Sequence, residues 1–128
     1  MRNNRAGFTL IELLIVVVII GILAALAIPK FAATKDRAKL ASVRTDLRNL
    51  MSSEEAYFAD HASFADFATL QAKTNATLTP GNTVAITTNA SGYTATVTNA
   101  SISTGITKCS VQVGAGAGSS VDGAIICS

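Results

Sequence analysis

The chain has 128 residues, which is enough for one small domain. Ten basic and eight acidic residues give a formal net charge of +2, and only 14% of the residues are charged. This net charge is too small to indicate, by itself, that the protein binds a nucleic acid. The hydrophobic fraction of 49% is ordinary, so its distribution along the chain is the informative property.

The first seven residues form a short, polar and basic segment that contains Arg2 and Arg5. A continuous helix is predicted from Phe8 to about residue 60. Phe8 to Ile28 is almost entirely apolar, and as a helix it would span about 30 Å, the thickness of a bilayer's hydrocarbon core. Residues 8–30 are therefore predicted to form one transmembrane segment.

Two residues should weaken this segment. Pro29 lacks an amide hydrogen and crowds the carbonyl group four residues before it. Gly21 adds backbone freedom inside the apolar run. A kink or local melting of the helix is predicted at Gly21 and Pro29.

From residue 31 to about residue 60 the pattern becomes amphipathic. Apolar residues recur at steps of three and four, as in Leu40, Val43 and Leu47, which places one apolar face on a helix. Arg44 and Arg48 fall mostly on the other side. This half of the helix is predicted to pack against the rest of a globular head, residues 31–128.

Beyond residue 61 the chain is rich in Thr, Ser, Ala and Gly. Val84 to Thr88 and Tyr93 to Thr98 read as two strands joined by a turn, which predicts a hairpin. Lys108 to Val113 and Gly123 to Cys127 are two further strand candidates. Residues 62–82 give no clear assignment. The predicted fold class is α+β, with one long N-terminal helix packed on an antiparallel sheet of about four strands.

A recognisable motif lies where the polar segment meets the apolar run. Residues 5–17 read RAGFTLIELLIVV. This segment resembles the class III leader and the mature N-terminus of type IV pilins and pseudopilins. The resemblance is strong over residues 1–40 and only architectural over the rest of the chain.

The resemblance implies a processing pathway. Residues 1–7 match the leader, Gly7 matches the residue after which a prepilin peptidase cuts, and Phe8 matches the N-methylated terminus that results. Glu12 matches the acidic residue at the fifth mature position, and Pro29 matches the helix-bending proline. The implied partners are the peptidase, an ATP-driven assembly machinery, and other copies of the chain in a helical filament.

Glu12 also has a physical rationale. An ionised carboxylate is costly inside a bilayer, so a simple apolar anchor has no reason to carry one. Cleavage after Gly7 would create an ammonium group at Phe8, four residues away on the same helical face. Pairing of the two charges, within one subunit or between neighbours, would offset desolvation and make Glu12 an assembly residue. A carboxylate solvated by lipid headgroups at the membrane edge is the alternative for Glu12.

Two other classes of N-terminal segment would explain part of this pattern. A secretory signal would be cut after a small-x-small site, which Ala25-Leu26-Ala27 supplies. A single-pass anchor would explain the apolar run. Neither explains Glu12 within the apolar segment, and a signal does not explain why the helical pattern continues past Pro29.

Cys109 and Cys127 are the two cysteines. In an exported chain they suggest one disulfide that closes a local loop, and two free buried thiols are the alternative. The pair resembles the disulfide-bounded C-terminal loop of many type IV pilins. Since that resemblance implies that pseudopilins more often lack the loop, the pair favours a pilus subunit.

Other sites are weak or absent in the sequence. Asn75, Asn89 and Asn99 match the N-glycosylation sequon, although chance matches are expected in a segment so rich in Asn, Ser and Thr. No catalytic set, phosphate-binding loop or Cys-x-x-Cys is present, so no enzyme activity, cofactor or small-molecule substrate is predicted. His61, the only histidine, has no neighbours at metal-ligand spacing, so no metal site is predicted.

The sequence thus predicts a structural subunit of a type IV pilus that resides in the inner membrane as a precursor and then in a surface filament. Adhesion, twitching-type motility and DNA uptake are possible roles of such a filament. A pseudopilin of a type II secretion system is the first alternative. A DNA-binding minor pilin is the second, and it is disfavoured because only Lys73 and Lys108 are basic after residue 48.

Overall fold

The computed structural model describes residues 7–114 and 121–128. In chain order the elements are helix α1, Leu10–His61; helix α2, Phe67–Thr74; and strands β1, Asn82–Asn89, β2, Gly92–Asn99, β3, Lys108–Gly114, and β4, Ile126–Cys127. The strands form one antiparallel sheet in the order β1-β2-β3-β4. The predicted α+β fold, with a long N-terminal helix and a four-stranded sheet, is confirmed.

The chain divides into two compact units, Met1–Lys35 and Asp36–Ser128. Helix α1 contributes residues to both. In the first unit no residue from position 7 to position 35 is buried. The second unit contains the hydrophobic core.

The core of the second unit lies between α1 and one face of the sheet. Val43, Leu47 and Leu50 of α1 are fully or almost fully buried, as are Val97 of β2 and Val111 of β3. Each such side chain contributes roughly 1.5–3 kcal/mol relative to remaining exposed. The second half of α1 therefore packs as predicted, because its apolar face contacts the sheet.

Strands β1 and β2 form the predicted hairpin. The register runs from Asn82 opposite Asn99 to Asn89 opposite Gly92. At the turn, the Asn89 side-chain oxygen accepts a hydrogen bond from the Ser91 amide at 2.9 Å. Gly92 faces Gly114 of β3, and a Cβ built on Gly92 would lie 2.1 Å from the Val113 carbonyl oxygen. Only glycine allows this approach of the two backbones.

Helix α2 was not predicted, although its ends carry local signals. The Asp66 carboxylate caps the helix by accepting a hydrogen bond from the Thr69 amide at 2.8 Å. Asn75 ends it in the left-handed conformation, with a φ of 54°. Both residue types are favoured at these positions, so the helix could have been predicted from them.

Strand β4 is shorter than the predicted Gly123 to Cys127. Gly123 has a φ of 73°, and its amide donates to the Gln112 carbonyl at 2.7 Å. A left-handed residue cannot continue a regular strand. Pairing with β3 is therefore limited to Ile126 and Cys127.

Candidate assembly site

Helix α1 begins with a capping box formed by Thr9 and Glu12. The Glu12 amide donates to the Thr9 hydroxyl at 3.3 Å, and the Thr9 amide donates to the Glu12 carboxylate at 2.9 Å. The Thr9 hydroxyl also donates to the same carboxylate oxygen at 2.7 Å. This reciprocal arrangement satisfies two backbone amides that have no partner inside the helix.

The capping role of Glu12 was missed in the sequence, although the signal was present. Thr9-Leu10-Ile11-Glu12 is the T-x-x-E pattern that precedes an apolar helix. Glu12 is four residues after Phe8, which precedes the first residue of α1 and whose side chain is 84% exposed. Gly7 is also exposed, and a Cβ at that position would meet no atom of the described residues within 4 Å. The backbone at the predicted cleavage point is thus sterically open.

The apolar part of α1 is exposed around its whole circumference. Every large hydrophobic residue from Phe8 to Phe31 is at least 46% exposed. The helix is long and apolar enough to cross a membrane, and none of its most apolar 18-residue window is buried. A helix that is apolar on every side requires lipid or other apolar helices around it.

Gly21 and Pro29 lie within this exposed segment. Helix α1 is continuous from Leu10 to His61 with Pro29 inside it. A Cβ at Gly21 would meet no atom of residues 7–114 and 121–128 within 4 Å, so packing among these residues does not require glycine there. Melting at Gly21 and Pro29 stays a prediction, because it was predicted for the helix packed among other copies in a filament.

The buried face of α1 in the second unit carries acidic residues that the sequence did not reveal as buried. Asp36 is 7% exposed, and one of its carboxylate oxygens accepts hydrogen bonds from the amides and hydroxyls of Ser103 and Thr104, at 2.9–3.2 Å. Lys39 lies 3.5 Å from the other oxygen of Asp36 and also donates to the Ser101 carbonyl. The hydroxyl of Thr104 is the main cause that lowers the pKa of Asp36 to about 2.

Asp46, nearly three turns further along α1, holds the segment before β1. Its carboxylate accepts hydrogen bonds from the amide of Thr79 at 2.8 Å, its hydroxyl at 2.9 Å and the side-chain amide of Asn82 at 2.6 Å. Asn82 in turn accepts a hydrogen bond from the Asn99 side chain at 2.7 Å. The network joins α1 to the paired ends of β1 and β2.

Glu54 is the third acidic residue on this face and is fully buried. One carboxylate oxygen accepts a hydrogen bond from the Ala65 amide at 3.0 Å, and the other has no hydrogen-bond partner among the described residues. Burial raises the pKa of Glu54, and the charge of Asp66 adds to this effect. Asp36, Asp46 and Glu54 thus anchor three different loops to one helix.

Cys109 and Cys127 form a disulfide, as predicted. They lie directly opposite each other in the β3–β4 pairing, so the bond closes the short two-residue strand onto the sheet. The Arg44 side chain donates to the sulfur of Cys127 at 3.3 Å. The C-terminal end of the chain is therefore held against both β3 and α1.

The three sequon asparagines differ in accessibility. Asn75 and Asn89 are exposed, so glycosylation there stays a prediction. Asn99 is only 4% exposed, and its side-chain nitrogen, the atom that a glycan would need, donates to Asn82. The fold therefore argues against Asn99 as a glycosylation site.

These features define a class: an exposed apolar helix with a capped, sterically open N-terminus, joined to a small α+β head. Residues 2–28 match the family described as the prokaryotic N-terminal methylation motif. The chain is 48% identical over 66 residues to the type IV major pilin protein PilA of Myxococcus xanthus. It is 47% identical over 64 residues to the type IV wide pilus major component PilA4 of Thermus thermophilus. The predicted resemblance to type IV pilins is confirmed.

A secretion protein is among the relatives as well. The chain is 38% identical over 63 residues to the type II secretion system core protein G of Pseudomonas aeruginosa. These matches cover 49–52% of this chain and 30–48% of the relatives. The relatives are thus of two kinds, pilus components and a secretion-system component, and each is similar to about half of the chain.

Proposed function

We propose that the chain is the structural subunit of a type IV pilus filament. It is held in the inner membrane by residues 8–30, is trimmed by a prepilin peptidase, and is then assembled with other copies into a surface fibre. Residues 1–7 serve as the leader, and residues 31–128 form the head. The protein has no catalytic role in this proposal.

One observation carries the proposal: the apolar segment from Phe8 to Phe31 is exposed on every side, whereas the second unit has a closed core of its own. No large hydrophobic side chain of this segment is buried among the described residues, so we infer that its partners are other molecules. Lipid is one apolar environment and a bundle of identical helices is another. Since transfer from lipid gains little hydrophobic energy, helix packing and polar pairing select the bundle.

Glu12 supplies the polar pairing. While the Gly7–Phe8 peptide bond is intact, the Glu12 carboxylate accepts hydrogen bonds from Thr9. Cleavage adds the ammonium group of Phe8 within one helical turn, or within reach of a neighbouring subunit. A charged pair in an apolar bundle is favourable only when both partners are present, so subunits out of register are disfavoured.

The proposal is tested by intact-mass analysis of surface filaments sheared from cells and viewed by electron microscopy. We expect a chain that begins at Phe8 with an added methyl group, since removal of seven of 128 residues leaves 121. Filaments lost on deletion of this gene and restored by its expression would establish the subunit. A start at Ile28, as an ordinary signal peptidase would give, would contradict the proposal.

Variants at Glu12 separate its charge from its capping role. Glu12→Gln keeps an oxygen that can accept from the Thr9 amide but has no charge for the Phe8 ammonium. We expect Glu12→Gln and Glu12→Ala to be inserted and cleaved normally and to form few or no filaments. Thr9→Ala is the matched control, because it weakens the cap and keeps the charge. Normal filament yield from Glu12→Gln cells would show that capping alone explains this residue.

The second candidate is a pseudopilin, favoured by the similarity to the type II secretion system core protein G. The disulfide between Cys109 and Cys127 favours the pilus instead, because it matches the loop that the pilin resemblance implied. Secretion assays on the deletion strain distinguish the two. A secretion defect without loss of surface filaments would support the pseudopilin.

A further inference from the structure

Three arginines of α1 form one exposed line on the second unit. Arg37, Arg44 and Arg48 are separated by seven and four residues, so at about 100° per residue their side chains leave the helix within about 40° of each other. Glu55, also exposed, is 18 residues after Arg37, which is five turns and returns to the same direction. We call these four residues the charged stripe.

The arginines of the charged stripe have no acidic partner within the described part of the chain. Among residues 7–114 and 121–128 the ion pair is that of Asp36 with Lys39. Arg44 donates to a disulfide sulfur, which carries no charge to offset its own. Residues three or four apart face each other on a helix, whereas Glu55 is seven residues from Arg48, or about 10 Å along the axis.

The arginines also border an open cavity. Its volume is about 350 Å³, and it is lined by Arg37, Leu40, Ala41, Arg44, Thr45 and Arg48. A carboxylate side chain fits such a space, with its methylene groups near Leu40 and Ala41. Guanidinium groups bind carboxylates through two parallel hydrogen bonds, so the contact is specific in its geometry as well as favourable in energy.

Most carboxylates of the chain are already engaged. Hydrogen bonds within the chain occupy those of Glu12, Asp36, Asp46, Glu54, Asp66 and Asp122. Glu55 and Asp60 are exposed and accept no hydrogen bond in the described residues. Of the two, Glu55 lies on the charged stripe, beyond its basic end.

We propose that Glu55 of one copy binds between Arg37, Arg44 and Arg48 of another copy. Two parallel α1 helices make this contact when they are offset along the axis by about 10 to 27 Å, the distances from Glu55 to Arg48 and to Arg37. Because the parallel helices are offset, Glu55 of the second copy lies beyond the arginines of the first and is left for a third copy, so the contact propagates along a fibre and does not close into a dimer. This inference rests on the proposed filament. It adds a contact between the heads that, together with the Glu12 pairing, sets the register of the subunits.

Charge exchange in cells that express one subunit variant tests the contact. Arg44→Glu/Arg48→Glu and, separately, Glu55→Arg should each lower filament yield roughly tenfold, because like charges then face each other across the contact. Combining all three substitutions should restore most of the yield. Lys73→Glu/Lys108→Glu is the control, because it makes the same change in net charge on exposed residues outside the stripe and should leave the yield unchanged.

Failure of this contact and failure of the proposed function would give different experimental results. A wild-type chain that forms no filaments would defeat the proposed function, whereas unaffected filaments in the reversed variants would overturn only this inference. Loss in Arg44→Glu/Arg48→Glu without rescue by Glu55→Arg would also overturn it, since the arginines would then bind something else. Should a reversed variant fail to accumulate in the membrane, Arg44→Gln/Arg48→Gln replaces it, with a smaller expected loss.

Discussion

Glu12 has a local partner before any assembly takes place. The capping box with Thr9 keeps the carboxylate hydrogen-bonded at the start of the helix, close to the membrane edge in the proposed orientation. A residue that is satisfied in the free subunit does not impede insertion. In the proposed assembly the Phe8 ammonium adds a Coulomb attraction to the Glu12 carboxylate, which the neutral groups of Thr9 do not supply.

Asp36 should make the head sensitive to acid. Its pKa is lowered from 3.8 to about 2 in the folded chain, chiefly by the Thr104 hydroxyl, so folding favours the ionised form. Its contribution to stability is complete above the unfolded pKa and is lost as the pH falls from about 4 to about 2. Thermal unfolding in detergent should show that Asp36→Asn lowers stability at pH 7 and flattens this acid dependence. The control is Asp60→Asn at an exposed position, and equal acid profiles for Asp36→Asn and wild type would refute the assignment.

Glu54 should change the stability of the head with pH in the opposite direction to Asp36, and over a higher pH range. Burial raises its pKa above 4.5, so folding favours the protonated form. The stability that this residue supplies is present below its unfolded pKa and is lost as the pH rises through the raised value. In the same experiment Glu54→Gln, which stays neutral, should resemble wild type near pH 4 and become the more stable of the two as the pH rises.

At the scale of elements, the local patterns predicted α1, the hairpin and β3 because each is encoded by its own periodicity. The capping box at Thr9 and the caps of α2 at Asp66 and Asn75 were equally local and could have been predicted. The roles of Asp36 and Asp46 could not. Their hydrogen-bond partners lie 67–68 and 33–36 residues away, and only the folded chain brings them together.

The segment of α1 between Gly21 and Pro29 should change when the chain enters a filament. A Cβ fits at Gly21, so Gly21→Ala should stabilise the helix by about 0.5–1 kcal/mol. If the filament requires this segment to extend, the variant should assemble less well while its helix content in micelles is unchanged or higher. Ala27→Gly is the control with the opposite effect on helix propensity. A wild-type filament structure with unbroken helical hydrogen bonding from Gly21 to Pro29 would rule the idea out.

At the scale of the molecule, the apolar residues that form the core differ from those proposed for assembly. The apolar side chains of the first unit are exposed, and those of the second unit form its core. In the proposed function the head would therefore keep its structure both in the membrane and in a fibre, while the apolar helix would exchange lipid for neighbouring helices. The acidic residues of α1 divide in the same way. Asp36, Asp46 and Glu54 accept hydrogen bonds within the head, whereas Glu55 is exposed and makes the proposed contact with another copy.

The disulfide should be what keeps the C-terminal end of the head in place. Strand β4 has only two residues, and the bond between Cys109 and Cys127 spans a sequence separation of 18. In the chain-entropy model a loop of this size contributes about 3 kcal/mol to the free energy of unfolding. Cys109→Ser/Cys127→Ser should therefore unfold at a lower temperature in detergent and be cut more readily by protease after β3, with normal leader cleavage. A reductant should bring the wild type to the same unfolding temperature and leave the double variant unchanged. Equal unfolding temperatures of the oxidised wild type and the double variant would mean that the hydrogen bonds of Ser128 with Lys108 already hold the strand without the bond.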